Sequence, residues 1–264
     1  MEQKHKAIIV LGMHRSGTSA VTGVLNQLGV PLGKNLFPAQ KGVNDKGFWE
    51  NGTIVELDDE LLLSVGSCWD DWLELEEGWD KFASALRCKK KIAKAIRKDF
   101  SKTPLWAIKD PRMCRLLPLW KDVLAETNTD PFYLLMVRHP SQVVKSLVKR
   151  DGFSMEKSIL LWLSHNLDAE RLTRSDQRMV IFFDQLLTET MSVIDELKTG
   201  IQTDFPVDVS TARAGIEDFL SGNLAHHSDT QFEVNNELTS LADRTVAAMV
   251  LLSKNENVKD AESE

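Results

Sequence analysis

The stretch that decides the fold is AIIVLGMHRSGTSAVTGVLNQLG, residues 7–29. Ala7 to Leu11 is a compact apolar run with charge before it and Gly12 after it, the pattern of a strand buried on both faces of a parallel sheet. Beyond it Val21, Val24, Leu25 and Leu28 recur at helical spacing, and Gly29 is placed to stop that helix. Between them GMHRSGTS, residues 12–19, completes a strand, glycine loop and helix, the unit that binds phosphate in P-loop proteins. Against the pattern G-x-x-x-x-G-K-[ST], Gly12, Gly17 and Ser19 are in register, but Thr18 stands where an NTPase carries lysine. Backbone N–H groups and a helix N-terminus cradle phosphate without that lysine, and Arg15 offers a replacement cation. A glycine-containing turn alone is a weak signal; the strand before it, the loop cation and the hydroxyl pair Thr18 and Ser19 give it weight.

Working outward, apolar runs at Leu105–Ile108, Phe132–Val137 and Met179–Phe183 alternate with long helix-patterned segments. The expectation is an α/β fold: a P-loop-type parallel sheet with helices on both faces, three layers in all. Helices are expected near 53–65, 80–99, 115–126, 141–150, 155–175, 186–199 and 232–253. Residues 37–80 carry Trp49, Trp69, Trp72 and Trp79 among many acids and read as an insertion over the nucleotide site, on the acceptor side. One domain over 1–264 is expected, with a polar, frayed tail from Lys254.

The chain has 264 residues and a formal net charge of -7, which gives no general attraction for nucleic acid or anionic membrane. An anionic ligand must therefore be held by a local basic cluster. Cys68, Cys88 and Cys114 lack C-x-x-C or metal-ligand spacing and read as reduced packing residues of a cytoplasmic protein. No metal is expected, since the adjacent His226 and His227 have no companion ligands at suitable spacing. No apolar run reaches the length of a signal core or a membrane span.

Another basic element follows the third apolar run, where Phe132–Val137 ends in Arg138-His-Pro-Ser141 and a helix follows that carries Ser146. Ligands of open α/β sheets bind at the carboxyl ends of the strands, so Arg138 can join the loop at that edge and Ser146 can donate to the same anion. Taken singly, a strand-end Arg is usually solvated and a mid-helix Ser often bonds its own backbone.

Taken together, GMHRSGTS and VRHPSQVVKS resemble the PAPS-dependent sulfotransferase family. GMHRSGTS is similar to its 5′-phosphosulfate loop, where a Lys or Arg sits at the position of Arg15. VRHPSQVVKS is similar to its 3′-phosphate element, an Arg followed eight positions later by a Ser, as in Arg138 and Ser146. The likeness is closer to the bacterial and carbohydrate-type branch than to the soluble steroid and phenol type, whose loop usually carries Trp where this chain has Ala20. Lys46-Gly-Phe-Trp-Glu50, Trp106-Ala-Ile-Lys-Asp-Pro-Arg112 and Phe183-Asp-Gln-Leu-Leu187 extend it over about residues 7–190. The Lys-Thr-His element and the C-terminal Arg-Lys-Gly loop of the soluble branch are missing.

The resemblance implies 3′-phosphoadenosine-5′-phosphosulfate (PAPS) as donor, without metal. His14, Arg15, Ser16, Gly17, Thr18, Ser19, Arg138 and Ser146 would bind it. Arg15 would stabilise charge on the leaving phosphate. Glu50 would be the base, as carbohydrate-type members place a catalytic Glu just after the loop helix, and Asp110 is the next choice unless Lys109 and Arg112 hold it as a structural ion pair. The acceptor would be a hydroxyl on a small molecule or glycan, with the tryptophans as stacking platforms or core packing. Two other readings stay open: an ATP-dependent small-molecule kinase, for which Val180-Ile-Phe-Phe-Asp184 resembles a Walker B strand, and a non-catalytic nucleotide-binding protein.

Overall fold

The structure is a computed structural model that describes residues 4–38, 47–221, 231–232 and 236–261, with side chains to Lys254. Four strands form one sheet in the order β2-β1-β3-β4, every neighbouring pair parallel: β1 His5–Leu11, β2 Leu105–Lys109, β3 Thr129–Val137 and β4 Arg178–Phe182. The central strand explains the layering. Ala7, Ile9 and Leu11 pack into one apolar cluster and Ile8 and Val10 into another, all of them buried, as the two-residue period of a strand requires.

On one face lie α2 Gly52–Ser64, α3 Ala83–Phe100, α4 Met113–Glu126, α5 Pro140–Asp151 and α6 Met155–Thr173. On the other lie α1 Thr18–Gln27, α7 Phe183–Thr188, α8 Thr190–Ile201 and α9 Val209–Ser221. The last helix, α10 Glu237–Ala261, packs against β4 and α6 and runs past Lys254. The expected α/β sheet with helices on both faces is thus what the chain forms. No helix of the described residues is long and apolar enough to cross a membrane.

Three details depart from the sequence reading. The helix expected over 186–199 is two helices, broken at Glu189. Helix α9 is not among the expected elements, because Gly215 and small or β-branched residues weaken its pattern; it is held by packing on α1, where the Phe219 ring fills the space that a Cβ on Gly23 would take. Strand β3 begins three residues earlier than its apolar run, at Thr129-Asp130-Pro131, paired with His5-Lys6-Ala7. Proline is tolerated there because β4 joins β3 only from Tyr133 onward, so Pro131 faces no partner on that side.

Residues 47–80 are bound into the body of the fold. Asn51 caps α2 by accepting from the N–H groups of Thr53 and Ile54, and Ile54, Leu61, Leu62 and Trp79 sit in the same apolar cluster as α3 and α4. Trp72 is exposed, while Trp106, Trp120 and Trp162 are fully buried.

Gly12, where β1 turns into the loop, has φ 139°, and a Cβ there would lie 2.4 Å from the Met136 carbonyl oxygen on β3. Backbone cannot yield as a flexible side chain can, so Gly12→Ala is expected to cost about 2 kcal/mol or more and lower Tm by several degrees in a thermal melt. A melt within about one degree of wild type would show that the loop is not pressed against β3.

Candidate active site

The β1–α1 loop lies at the carboxyl end of the sheet. Its turn is closed by the Ser16 N–H bonding to the Met13 carbonyl at 3.1 Å, and Arg15 and Gly17 both take left-handed conformations, φ 69° and 94°. At Gly17 this freedom is needed twice over, since a Cβ would fall 2.2 Å from the Phe183 ring. Helix α1 then starts with no side chain capping it among the described residues, and the Ser16 hydroxyl is buried with no partner among them. A loop with turned backbone, an uncapped helix start and an orphaned hydroxyl has the chemistry of an anion site.

Two guanidinium groups meet at this loop. Arg15 Nε donates to Ser146 Oγ on α5 at 2.7 Å, and Arg138 Nη1 donates to the carbonyl oxygen of Arg15 at 3.4 Å. Arg138 is further fixed by donating Nε to Gln142 Oε1 at 2.7 Å and by lying 4.5 Å over the Phe183 ring, and its own carbonyl accepts from Trp162 Nε1 at 3.0 Å. Burial pulls the pKa of both arginines below the ordinary value, helped at Arg15 by the charge of Arg150. The sequence pattern pairs Ser146 with Arg138; the structure sets Ser146 against Arg15 and puts Gln142 beside Arg138. Arg15, Arg138 and Ser146 nevertheless converge.

His14, within the loop, packs edge-on to Trp69 at 4.9 Å, with Nε2 covered and unpaired among the described residues. Burial, and then the charges of Arg112, Arg150 and Lys109, hold its pKa well below the usual imidazole value, so it is neutral at pH 7. The backbone N–H of Gly12 donates to the buried Cys114 Sγ at 3.1 Å, and burial raises that thiol to about 12.

Lys109, at the end of β2, is the residue that sequence reasoning undervalues. Its ammonium donates to Glu50 Oε1 at 2.5 Å, to the Phe48 carbonyl at 3.2 Å and to the Ser19 hydroxyl at 3.3 Å. Both side chains of the pair are closed to solvent, 3% and 9% exposed. The sequence sets Lys109 beside Asp110 as a possible ion-pair partner, and that half of the expectation fails. Neighbouring side chains at a strand end diverge, so Lys109 meets Glu50 while Asp110 meets Arg112. Asp110 is fully buried, and its Oδ1 accepts from the Arg112 backbone N–H and Nη1, each at 3.0 Å. Arg112 also grips Asp59 through Nε at 2.6 Å. Lys46, at the start of the Lys46–Glu50 motif, and the histidine pair 226–227 lie outside the described residues. No group of acids, histidines and cysteines among the described residues could hold a metal.

No protein-family model and no curated protein matches the sequence. Among solved structures the chain is similar to the sulfotransferase domain of the olefin synthase of Synechococcus PCC 7002, with a TM-score of 0.52 and 14% identity over 93% of this chain and 97% of that one. The sulfotransferase domain from the curacin biosynthetic pathway also matches, at TM-score 0.48 and 12% identity, over 93% and 99% of the two chains. The chain therefore has a sulfotransferase-like α/β fold. The likeness to the olefin synthase domain carries the architecture; the chemistry has to come from the site.

Asp58, fully buried beneath the site, accepts from Trp120 Nε1 at 3.0 Å, and burial followed by the charge of Asp110 pushes its pKa well above the carboxylate range. A folded pKa above the unfolded value of about 3.9 means the folded state binds more protons, so stability falls as pH rises from about 4 toward that raised value. Asp58→Asn keeps an acceptor for Trp120 and removes the charge. Its Tm is expected to match wild type near the unfolded carboxyl pKa of about 4 and to exceed it by a margin that grows as pH rises above that value. A margin that shrinks with pH would contradict the assignment.

Proposed function

We propose that the protein transfers a sulfuryl group from PAPS to an acceptor hydroxyl, within the bacterial and carbohydrate-type range of sulfotransferases. The observation that carries this reading is the pinning of Arg15 in the turn of the loop by Ser146, with Arg138 bonded to the same residue's carbonyl. Two fixed guanidinium groups converging beside an uncapped helix start suit a ligand rich in phosphate oxygens, and Arg15 takes the role of the missing loop lysine. When bound, PAPS supplies the activated sulfuryl group.

The chain's own groups have distinct tasks. The loop from His14 to Ser19 holds the 5′ end of the nucleotide through backbone N–H groups and the hydroxyls of Ser16, Thr18 and Ser19. Arg15 neutralises charge that grows on the leaving phosphate, in a site where burial strengthens the interaction. Arg138 and Ser146 support the 3′ end and the Arg15 rotamer respectively. Glu50 takes the proton of the acceptor hydroxyl: its Oε1 is held by Lys109, which leaves Oε2 for the acceptor and fixes the carboxylate's direction. Asp110 is the alternative base, but it is 0% exposed where Glu50 is 7% exposed, and its Oδ1 is committed to both the backbone N–H and Nη1 of Arg112. The acceptor is read as a hydroxyl-bearing small molecule or a glycan.

Phosphoryl transfer from ATP fits less well. It needs a magnesium ion at the Ser19 hydroxyl, and the group beside that hydroxyl is the Lys109 ammonium. Asp184, which the Walker B resemblance would offer as a metal ligand, is exposed on the first turn of α7.

The test is transfer of labelled sulfuryl from PAPS to a panel of glycan and small-molecule hydroxyls, with and without EDTA. Transfer is expected in both conditions. Glu50→Gln should lower kcat by roughly 10²–10⁴-fold while leaving KM for PAPS near wild type. Because this variant strands the buried Lys109 charge, its fold is to be checked by circular dichroism before the rates are compared. If Asp110→Asn abolishes turnover in a folded protein and Glu50→Gln does not, the base is Asp110. Phosphoryl transfer from Mg-ATP in the absence of any sulfuryl transfer would overturn the proposal.

A further inference from the structure

Helix α3 contradicts the charge of the chain that contains it. Its 18 residues, ASALRCKKKIAKAIRKDF, hold seven basic side chains against one acid, in a protein of net charge -7. The apolar face is already used: Ala85, Cys88, Ile92, Ala93, Ile96 and Phe100 are buried in the core. The opposite face is a ridge of exposed cations. Lys89, Lys91 and Arg97 are bonded to acids on neighbouring helices: Asp122 at 3.3 Å, Glu60 at 2.5 Å and Glu126 at 3.0 Å. Arg87, Lys90, Lys94 and Lys98 are exposed and have no ion-pair partner among the described residues. These four fall within one side of the helix, about one turn apart, over a length of about 16 Å.

We propose that this ridge docks an acidic helix of a partner protein. Three observations select that partner over other polyanions. Lys90, Lys94 and Lys98 repeat every fourth residue, which matches carboxylates repeated every fourth residue on a helix laid alongside. Near the amino end of α3 two leucines are exposed, Leu86 of α3 at 39% and Leu63 of α2 at 70%, and the two helices are joined there by Ser84 Oγ donating to the Ser64 carbonyl at 3.2 Å. Apolar anchors beside a row of one charge are the makings of a protein interface, in which the charges steer and the leucines hold. Finally, Glu60, Asp122 and Glu126 flank the ridge on both sides, so the positive surface is one helix wide. A flat anionic membrane would meet those acids as well, and α3 has no apolar face left to enter lipid.

The other end of the ridge approaches the candidate active site. Asp99, next to Lys98, accepts from Asn51 Nδ2 at 2.9 Å, and Asn51 follows Glu50 in the chain. A helix docked on α3 would thus lie along the α2–α3 pair whose near end carries the proposed base. The docking inference does not depend on the sulfuryl-transfer reading.

The experiment is fluorescence anisotropy with a labelled helical peptide bearing glutamate at every fourth position and one leucine at its end. Heparin and vesicles of anionic phospholipid serve as competitors. The full chain is compared with Lys90→Gln/Lys94→Gln/Lys98→Gln and with Leu63→Asn/Leu86→Asn, all at exposed positions outside the proposed catalytic and cofactor-binding groups. The peptide is expected to bind with an affinity that falls steeply with salt, about tenfold or more weaker in the lysine variant and several-fold weaker in the leucine variant. The proposal is overturned if the peptide does not bind or if the lysine variant binds it as well as wild type. It is equally overturned if heparin or vesicles bind the ridge more tightly than the peptide does, since the ridge would then read any polyanion.

Discussion

The Lys109–Glu50 ion pair holds together the parts of the molecule on which the candidate site depends. One buried ammonium joins the end of β2, the first turn of α1 through Ser19, and the 47–50 segment through Phe48 and Glu50. The next residue, Asn51, caps α2 and bonds to Asp99 on α3, so the same junction sets the angle of the α2–α3 pair. Such a pair adds little to stability when compared with apolar residues of the same volume. Removing one partner is another matter, because it strands a charge at a cost of about 3–5 kcal/mol. The pair therefore acts as a constraint on geometry: it fixes where the carboxylate points, and it is specific to this arrangement of strand, loop and helix.

The strands are legible in the sequence because a strand buried on both faces must be apolar throughout, and Ala7–Leu11 and Phe132–Val137 are. The loop is legible because its glycines are required by backbone conformation and by the close approach of Met136 and Phe183. What is not legible depends on tertiary contact. Helix α9 has weak propensity and is defined by its seat on α1; Pro131 belongs to β3 only because β4 is shorter. In the site, the convergence of Arg15, Arg138 and Ser146 follows from strand ends and helix starts. The partners do not: that Ser146 meets Arg15, that Gln142 and Phe183 hold Arg138, and that Lys109 turns to Glu50 are facts of packing that no spacing encodes.

The proposed reading also gives a physical route by which a phosphate loop dispenses with the lysine of an NTPase. Thr18 is buried and cannot serve as a cation, and the ammonium nearest the loop hydroxyls is tied to Glu50. Positive charge comes instead from Arg15 within the loop and Arg138 across from it, each with a further contact that holds its rotamer. In the sulfuryl-transfer reading proposed above, guanidinium groups fixed in this way serve a nucleotide with separate 3′ and 5′ phosphates in preference to a triphosphate chelated to magnesium. The central claim is this preference, and a thermal melt with nucleotides tests it directly. Adenosine 3′,5′-bisphosphate at about a hundred times its Kd is predicted to stabilise the protein by about 2.7 kcal/mol, a readily visible rise in Tm, and Mg-ATP at the same concentration to leave Tm unchanged. Stabilisation by Mg-ATP with none by the bisphosphate would contradict the account.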